Sequence, residues 1–98
     1  MKKKLKELVP STVALDPIKT GENLYWLRKK RRLSMDAFAV NVGVHYHTVS
    51  NWQSGVYMPS ADALLKISDV LQLPIEELLI KQGEEIPEKH KPIIRKKK

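Results

Sequence analysis

The sequence contains no cysteine in its 98 residues, which excludes disulfide bonds and cysteine-based metal sites. It also has no segment that approaches the roughly 18 consecutive apolar residues of a membrane-spanning helix. The first six residues, Met-Lys-Lys-Lys-Leu-Lys, resemble the charged start of a signal peptide. No apolar run of about seven or more residues follows them, as a signal peptide would require. The sequence therefore predicts a cytoplasmic protein that does not enter a membrane.

Motifs that would indicate an enzyme are missing as well. There is no glycine-rich phosphate loop and no Cys or Ser nucleophile with an obvious base, and the carboxylate pair Glu76-Glu77 lies at an expected helix start. We therefore expect no catalytic activity, no cofactor and no metal site. RNA binding is disfavoured, because the aromatic β-strand platform that many RNA-binding proteins use is absent.

What the chain has in excess is positive charge. Its 18 Lys and Arg against 11 acidic residues give a net charge of +7, which points to an anionic partner such as nucleic acid or an acidic membrane surface. The net charge is +2 over 1–17, +2 over 18–82 and +3 over 83–98. Five of the eight cations in the middle segment lie in Arg28–Arg32.

Apolar periodicity and capping residues predict an all-α fold, a compact five-helix bundle over 18–82. A flexible basic arm (1–17) precedes it and a basic disordered tail (83–98) follows, because the polar, proline-containing tail has little apolar surface to bury. The first helix begins at Pro17, or after a second cap at Thr20. The first helix is expected to end at about residue 32. The other four are expected at about 35–42, 46–53, 61–72 and 75–81.

Specific residues mark the ends and the buried faces of these helices. Ser34 and Ser60 are expected N-caps, and Gly43 and Gly55 are expected to end the helices before them. Tyr25 and Trp26 fall off the apolar stripe of the first helix and should be partly exposed. The expected core residues are Leu24, Leu27, Phe38, Ala39, Val42, Leu64, Leu65, Ile67, Val70, Leu71, Ile75, Leu78 and Leu79.

The third predicted helix has an unusual polar face. Val44, Val49 and Trp52 are placed to face inward. The other side carries hydrogen-bonding groups with almost no charge: His45, Tyr46, His47, Ser50 and Asn51. A solvated helix face is normally rich in Lys and Glu, whereas neutral donors and acceptors suit base edges in a DNA major groove. On these residues alone, an ordinary polar helix that lacks charge remains an equal alternative.

Five spaced elements between 20 and 80 carry a family resemblance. They are Gly21-Glu22-Asn23-Leu24 with Leu27-Arg28; Leu33-Ser34 with Phe38-Ala39 and Val42-Gly43-Val44; Thr48-Val49-Ser50-Asn51-Trp52 with Gly55; Pro59-Ser60 with Leu64-Leu65-Lys66-Ile67; and Ile75-Glu76-Glu77-Leu78-Leu79. In this order and spacing they resemble the Cro and phage-repressor (XRE-type, lambda-repressor-like) family of helix-turn-helix DNA-binding domains. In that family the third helix lies in the major groove and the second crosses the DNA backbone.

The resemblance implies roles by position. The implied base-contacting residues are His45, Tyr46, His47, Ser50 and Asn51, with Asn51 suited to adenine N6 and N7. The implied phosphate-contacting residues are Arg28, Ser34, Thr48 and Ser54, although Arg28 has the alternative of holding the third helix from the first. Protonated histidines would tighten binding as the pH falls towards 6; the alternative is that both are plain exposed residues. A metal site is disfavoured because two residues apart on a helix their side chains diverge.

The chain departs from the family pattern at several positions. The usual Gln is Met35, which should not contact both a phosphate and the third helix, and the usual Glu is Gln53, which weakens the expected pair with Arg28. Arg32 replaces the usual Gly, so that turn is expected to be strained or different. The loop 56–58 lacks its usual Lys or Arg. Basic arms at both termini would compensate, so deletion of residues 1–15 should weaken binding to all DNA sequences alike.

The leading hypothesis is a sequence-specific, double-stranded DNA-binding transcription regulator, acting as a homodimer on inverted repeats. Tyr25 and Trp26 are candidates for the dimer contact or for a partner contact; the alternative is that they cover the folded-back N-terminal arm. The competing hypothesis is a protein-interaction module, such as an antitoxin-type partner, that uses the same fold without reading bases. The two differ in salt dependence, which is steep for DNA binding and nearly flat for an apolar protein interface.

Overall fold

The computed structural model describes residues 10–92 and shows an all-α fold over them, as predicted. Its elements are α1 (Pro17–Lys30), α2 (Met35–Val42), α3 (Tyr46–Gln53), α4 (Ala61–Leu71) and two short 3-10 turns, Ile75–Glu77 and Glu88–His90. The bounds predicted for α2 and α3 are confirmed. No helix within 10–92 combines the length and the apolar composition needed to cross a membrane.

The helices begin where side chains can accept hydrogen bonds from their free backbone N–H groups. Asp16 accepts from the amide of Lys19 at 3.0 Å. Ser34 and Ser60 do the same for the amides three residues ahead of them, at 3.0 and 3.1 Å. Each such cap contributes about 1 kcal/mol to helix stability. Gly43 ends α2 in the left-handed conformation, with φ of 85°, so the caps predicted at Asp16, Ser34, Gly43 and Ser60 are confirmed.

One core holds the four helices together. Its fully buried members come from every helix and from the chain that follows α4: Leu24, Leu27, Phe38, Ala39, Val42, Val49, Trp52, Ile67, Leu71 and Leu78. Gly21 lets α1 lie directly on the C-terminal end of α3, because a Cβ atom there would be 2.1 Å from the carbonyl oxygen of Trp52. The backbone of α3 is thus fixed against α1 as well as α2.

The fifth helix predicted at 75–81 is wrong. A single 3-10 turn forms at Ile75–Glu77, and the chain then continues extended. The backbone of Ile80 is used by a distant segment: its N–H donates to Thr20 Oγ1 at 3.0 Å and its oxygen accepts from Asp16 N–H at 2.8 Å. These bonds exclude a continuing helix. Thr20 is therefore a buried partner of this segment, and its predicted role as a second cap is wrong.

Leu65 is 60% exposed, although it was predicted to be in the core. The buried stripe of α4 runs through Ala63, Ile67 and Leu71, which recur every four residues on one side of the helix. Leu65 lies two residues from Ala63 and from Ile67, and therefore on the opposite side.

The predicted disordered tail differs from the structure over 83–92, which lies along α1. Lys19 Nζ donates to the carbonyl oxygen of Glu84 at 2.9 Å, and Lys30 Nζ donates to that of Lys89. His90 is 4% exposed. Polar contacts of this kind hold the segment against α1. The rest of the predicted tail, 93–98, and residues 1–9 of the predicted arm lie outside the described residues.

Candidate nucleic-acid interface

The turn between α2 and α3 fixes how α3 is presented. The amides of Gly43 and Val44 both donate to the carbonyl oxygen of Ala39, at 2.8 and 2.9 Å. Val49 and Trp52, with exposed fractions of 0% and 5%, anchor the inner side of α3 in the core. The opposite side must therefore face solvent.

That outer side carries the five predicted base-contacting residues. His45, Tyr46 and His47 are exposed, and Ser50 and Asn51 are half-buried. None of the five lies in the core. Within residues 10–92, this face is therefore not packed under other parts of the chain. The structure brings these side chains together on one surface.

His45 has a role that sequence reasoning missed: it is the N-cap of α3. Its Nδ1 atom accepts from the backbone N–H of His47 at 3.2 Å. Its backbone is extended (φ −77°, ψ 150°), so its ring does not follow the helical spacing. The rings of His45 and His47 stack with centroids 5.0 Å apart, and the prediction that they diverge is wrong. The available signal was the position of His45, directly before the first helical residue.

This capping bond also determines which ring nitrogen of a neutral His45 carries the hydrogen. A neutral imidazole has one N–H and one acceptor nitrogen. Because Nδ1 is the acceptor for the helix, the hydrogen of the neutral ring resides on Nε2. The exposed edge of His45 is then a donor.

Arg28 lies inside the molecule, with 7% of its surface exposed. Its Nε atom donates to Gln53 Oε1 at 2.8 Å and its Nη1 to the carbonyl oxygen of Leu33 at 2.7 Å. Burial lowers the pKa of Arg28, and the nearby Tyr25 opposes this. This geometry corresponds to the alternative role of holding the third helix from the first.

Met35 makes one of the two contacts expected of the usual Gln, the one with α3. Its Sδ atom accepts from Gln53 Nε2 at 3.3 Å. Gln53 therefore uses its oxygen for Arg28 and its nitrogen for Met35, and joins α1, α2 and α3 in one chain of contacts. A Glu at this position would have no donor for the sulfur.

The other predicted phosphate contacts differ in their surroundings. Ser34 is exposed at the N-terminus of α2, and Thr48 is half-buried in the first turn of α3; both lie at helix ends that favour an anion. Ser54 lies at the opposite end of α3, where its hydroxyl donates to the carbonyl oxygens of Ser50 and Asn51 at 3.0 and 3.3 Å. A helix C-terminus disfavours an anion, so Ser54 is the weakest of these candidates.

Charge surrounds this surface without entering it. The segment 33–60, which spans α2, the turn and α3, contains no Lys or Arg, and Asp36 is its sole charged residue. Lys29, Lys30, Arg31 and Arg32, all exposed, precede it at the end of α1. The cations of α1 thus lie outside the segment that carries this surface.

Tyr25 and Trp26 are half-buried, as predicted. Their rings meet edge to face with centroids 5.0 Å apart, and Trp26 Nε1 donates to Glu22 at 3.3 Å. Lys91 Nζ lies 5.6 Å from the Trp26 ring centroid. Among residues 10–92, the C-terminal segment therefore lies against Trp26. The alternative drawn from the sequence had placed the N-terminal arm there.

Comparison with known proteins places this arrangement in a family. The helix-turn-helix family model (HTH_3) matches residues 24–78, more than half of the chain. Among solved structures, the restriction-modification controller protein C.AhdI from Aeromonas hydrophila is 28% identical, with a TM-score of 0.62 over 64% of this chain and 96% of that one. No curated protein matches the sequence.

Two further similar structures contain DNA. The P22 c2 repressor in complex with a synthetic operator is 31% identical, with a TM-score of 0.60 over 66% of this chain and 96% of that one. SinR, a master regulator for biofilm formation, in complex with DNA is 27% identical, with a TM-score of 0.57 over 60% and 95%. The predicted resemblance to phage-repressor-type domains is confirmed, and the chain belongs to the helix-turn-helix family.

Proposed function

We propose that the chain is a sequence-specific, double-stranded DNA-binding transcription regulator, with α3 as the element that enters the major groove. The observation that carries the proposal is the exposed, uncharged face of α3, held outward by the buried Val49 and Trp52. The similar P22 c2 repressor and SinR were each solved with DNA, which supports the same use of this surface.

Each side chain on this face suits a particular partner. The amide of Asn51 can donate and accept in parallel, which matches adenine N6 and N7. The donor edge of His45 matches the acceptors N7 and O6 of guanine. Tyr46, 43% exposed, offers a ring edge to a thymine methyl group or a hydroxyl to a phosphate.

The cations that give non-specific affinity have to come from outside 33–60, since that segment has none. The exposed cluster Lys29–Arg32 and the basic termini supply charge for the DNA backbone. The N-termini of α2 and α3, at Ser34 and Thr48, supply free N–H groups. We expect binding as a homodimer on inverted repeats, with half-sites about 34 Å apart.

Selection of bound duplexes from a random pool tests the proposal, with Asn51→Ala beside the wild type. The wild type should enrich a symmetric sequence, and Asn51→Ala should lose ~1–3 kcal/mol at one base position of each half-site. Asn41→Ala, which removes the same amide from the exposed side of α2, is the matched control and should leave the preference unchanged. The absence of any enriched sequence with the wild type would refute the proposal.

Salt titration separates this function from a protein-interaction module. Contacts to about four to six phosphates per subunit give a slope of roughly −4 to −5 in log K against log salt. A flat dependence, together with no enrichment, would favour the protein-interaction alternative.

A further inference from the structure

A buried polar cluster far along the chain from α3 joins the C-terminal segment to the domain. His90 belongs to the 3-10 turn Glu88–His90 and is 4% exposed. Its Nδ1 lies 2.7 Å from Asn23 Oδ1, on α1, and its Nε2 lies 2.9 Å from Glu77 Oε1. The imidazole therefore connects α1 with the turn Ile75–Glu77, through partners that precede it by 67 and 13 residues.

The hydrogen-bond partners of Asn23 fix the direction of its amide. Asn23 Nδ2 donates to the backbone carbonyl oxygens of Glu77 and Leu78, both at 3.0 Å. A carbonyl oxygen cannot donate, so the amide cannot be turned around. The atom of Asn23 that faces His90 is the oxygen, an acceptor.

The other neighbour of the ring is also an acceptor. The hydrogen bond from His90, followed by the charge of Lys89, lowers the pKa of Glu77, so this side chain is an acceptor-only carboxylate at neutral pH. Both ring nitrogens of His90 thus face acceptors. A neutral imidazole has one N–H and satisfies one of them, whereas the imidazolium has two and satisfies both.

We propose that His90 is a proton-dependent latch, which in its doubly protonated form holds the C-terminal segment 87–92 on α1 and on the turn Ile75–Glu77. Loss of one proton leaves a ring lone pair directed at an acceptor, and the segment is released. The neutral ring would keep one good hydrogen bond and one repulsive contact in a buried site, which is unfavourable.

Charged side chains of both signs surround the latch. Lys30 of α1, Arg31 directly after it and Lys89 line one side of His90. The acidic side chains Glu76, Glu84 and Glu85 line the other side with Glu77. Among these residue types, histidine is the one whose charge ordinarily changes in the neutral pH range.

The direction of the pH dependence of the latch follows from the protonation of His90 and of Glu77. The imidazolium contributes at mildly acidic pH, and its contribution is lost as the pH rises and the second proton leaves. The lowered pKa of Glu77 means that its contribution is present above the ordinary carboxyl range and is lost only as the pH falls below that range. The latch is therefore closed in mild acid and opens on the alkaline side.

Nitrogen NMR of the full-length protein tests this directly. At about pH 5.5 both His90 ring nitrogens should carry protons, and at about pH 8.5 one should. The backbone amide of His90, which donates to Pro87 at 3.0 Å, reports on the segment. Its hydrogen exchange, corrected for the intrinsic effect of pH, should become about tenfold faster at the higher pH, since a hydrogen bond to a charged group is worth at least that factor.

Three variants decide between the latch and a general loosening. His90→Gln cannot titrate, so the pH dependence of exchange at position 90 should vanish. Glu77→Gln removes the charged acceptor and should loosen the segment at about pH 5.5. Glu76→Gln removes an equal charge from the adjacent, exposed position and should behave as the wild type. Protected amides of Ile67 and Leu71 in α4 show that each variant is folded.

A singly protonated His90 ring at about pH 5.5 would overturn the proposal. So would equal exchange at both pH values in the wild type, or an unchanged pH dependence in His90→Gln. None of these measurements involves DNA, so the latch stands or fails independently of the proposed function.

Discussion

Arg28 and Gln53 connect the first and third helices inside the molecule, with the arginine Nε donating to the glutamine Oε1 at 2.8 Å. The guanidinium is desolvated there, and its second bond goes to the carbonyl oxygen of Leu33. Because a buried charged donor is expensive to leave without an acceptor, this bond helps to fix the position of α3. The orientation of the proposed reading helix thus depends on a contact with α1.

Replacement of Gln53 by Ala should destabilise the fold. It leaves the Arg28 Nε–H without its acceptor and removes the contact with Met35, so we expect a loss of about 1.5–3 kcal/mol in the free energy of unfolding. Urea denaturation measures it. Gln53→Glu keeps an acceptor and adds a charge opposite to that of Arg28, so it should be at least as stable as the wild type. Equal stability of Gln53→Ala and the wild type would show that the bond contributes nothing.

Arg32 adopts a left-handed conformation, with φ of 60°, at the position where the family resemblance led us to expect Gly. This conformation costs a side-chain-bearing residue about 1–2 kcal/mol. Arg32→Gly should therefore gain about 0.5–1 kcal/mol after the greater freedom of glycine in the unfolded chain is subtracted. Thermal or urea unfolding checks it.

Arg31→Gly is the control for that substitution, because it removes the same charge from a neighbouring residue with φ of −85°. It relieves no strain and should lose about 0.5–1 kcal/mol. If both variants change stability equally, charge rather than backbone conformation is responsible.

The N-cap bond from His45 should be visible in stability. His45→Ala leaves the His47 amide without its acceptor and should cost about 1 kcal/mol, whereas His45→Asn keeps a capping oxygen and should cost little. His47→Ala, in the exposed first turn of α3, should change stability by less than about 0.5 kcal/mol. Urea denaturation of the three variants measures these differences, and equal stability of His45→Ala and His45→Asn would argue against the cap.

Short-range chemistry made most of this fold predictable. The caps at Ser34 and Ser60 and the glycine at Gly43 act within three or four residues, so their sequence neighbourhood was sufficient to place both ends of α2 and the start of α4. The same holds for the outer face of α3, because the buried Val49 and Trp52 determine which side remains exposed.

The parts that could not be predicted depend on contacts between residues far apart in the chain. Ile80 is extended because its backbone N–H and oxygen bond to Thr20 and Asp16. The apolar periodicity after Pro74 does not reveal these distant partners. His90 is a lone histidine in a polar segment without periodicity, and its two partners are 67 and 13 residues away. Only the assembled domain shows that it is buried.

The basic N-terminus should contribute to DNA affinity without contributing to specificity. Deletion of residues 1–9 removes four Lys and one Glu, a net charge of +3. It leaves intact the pairing of Ala14 and Leu15 with 81–82, which the deletion of 1–15 would also disrupt. We expect affinity to fall by the same factor on the selected operator and on random duplex, and the slope of log K against log salt to become shallower by up to about 3.

Substitution of Lys2, Lys3, Lys4 and Lys6 by Gln in the full-length protein is the control, since it removes the same four cations and keeps the length. It should reproduce the effect of the deletion, because phosphate contacts depend on charge and carry no sequence information. Fluorescence anisotropy on both duplexes over a range of salt concentrations measures the two variants together. A loss confined to the selected operator would mean that the N-terminus reads bases, and no loss on either duplex would mean that the cations of the first nine residues do not contact DNA.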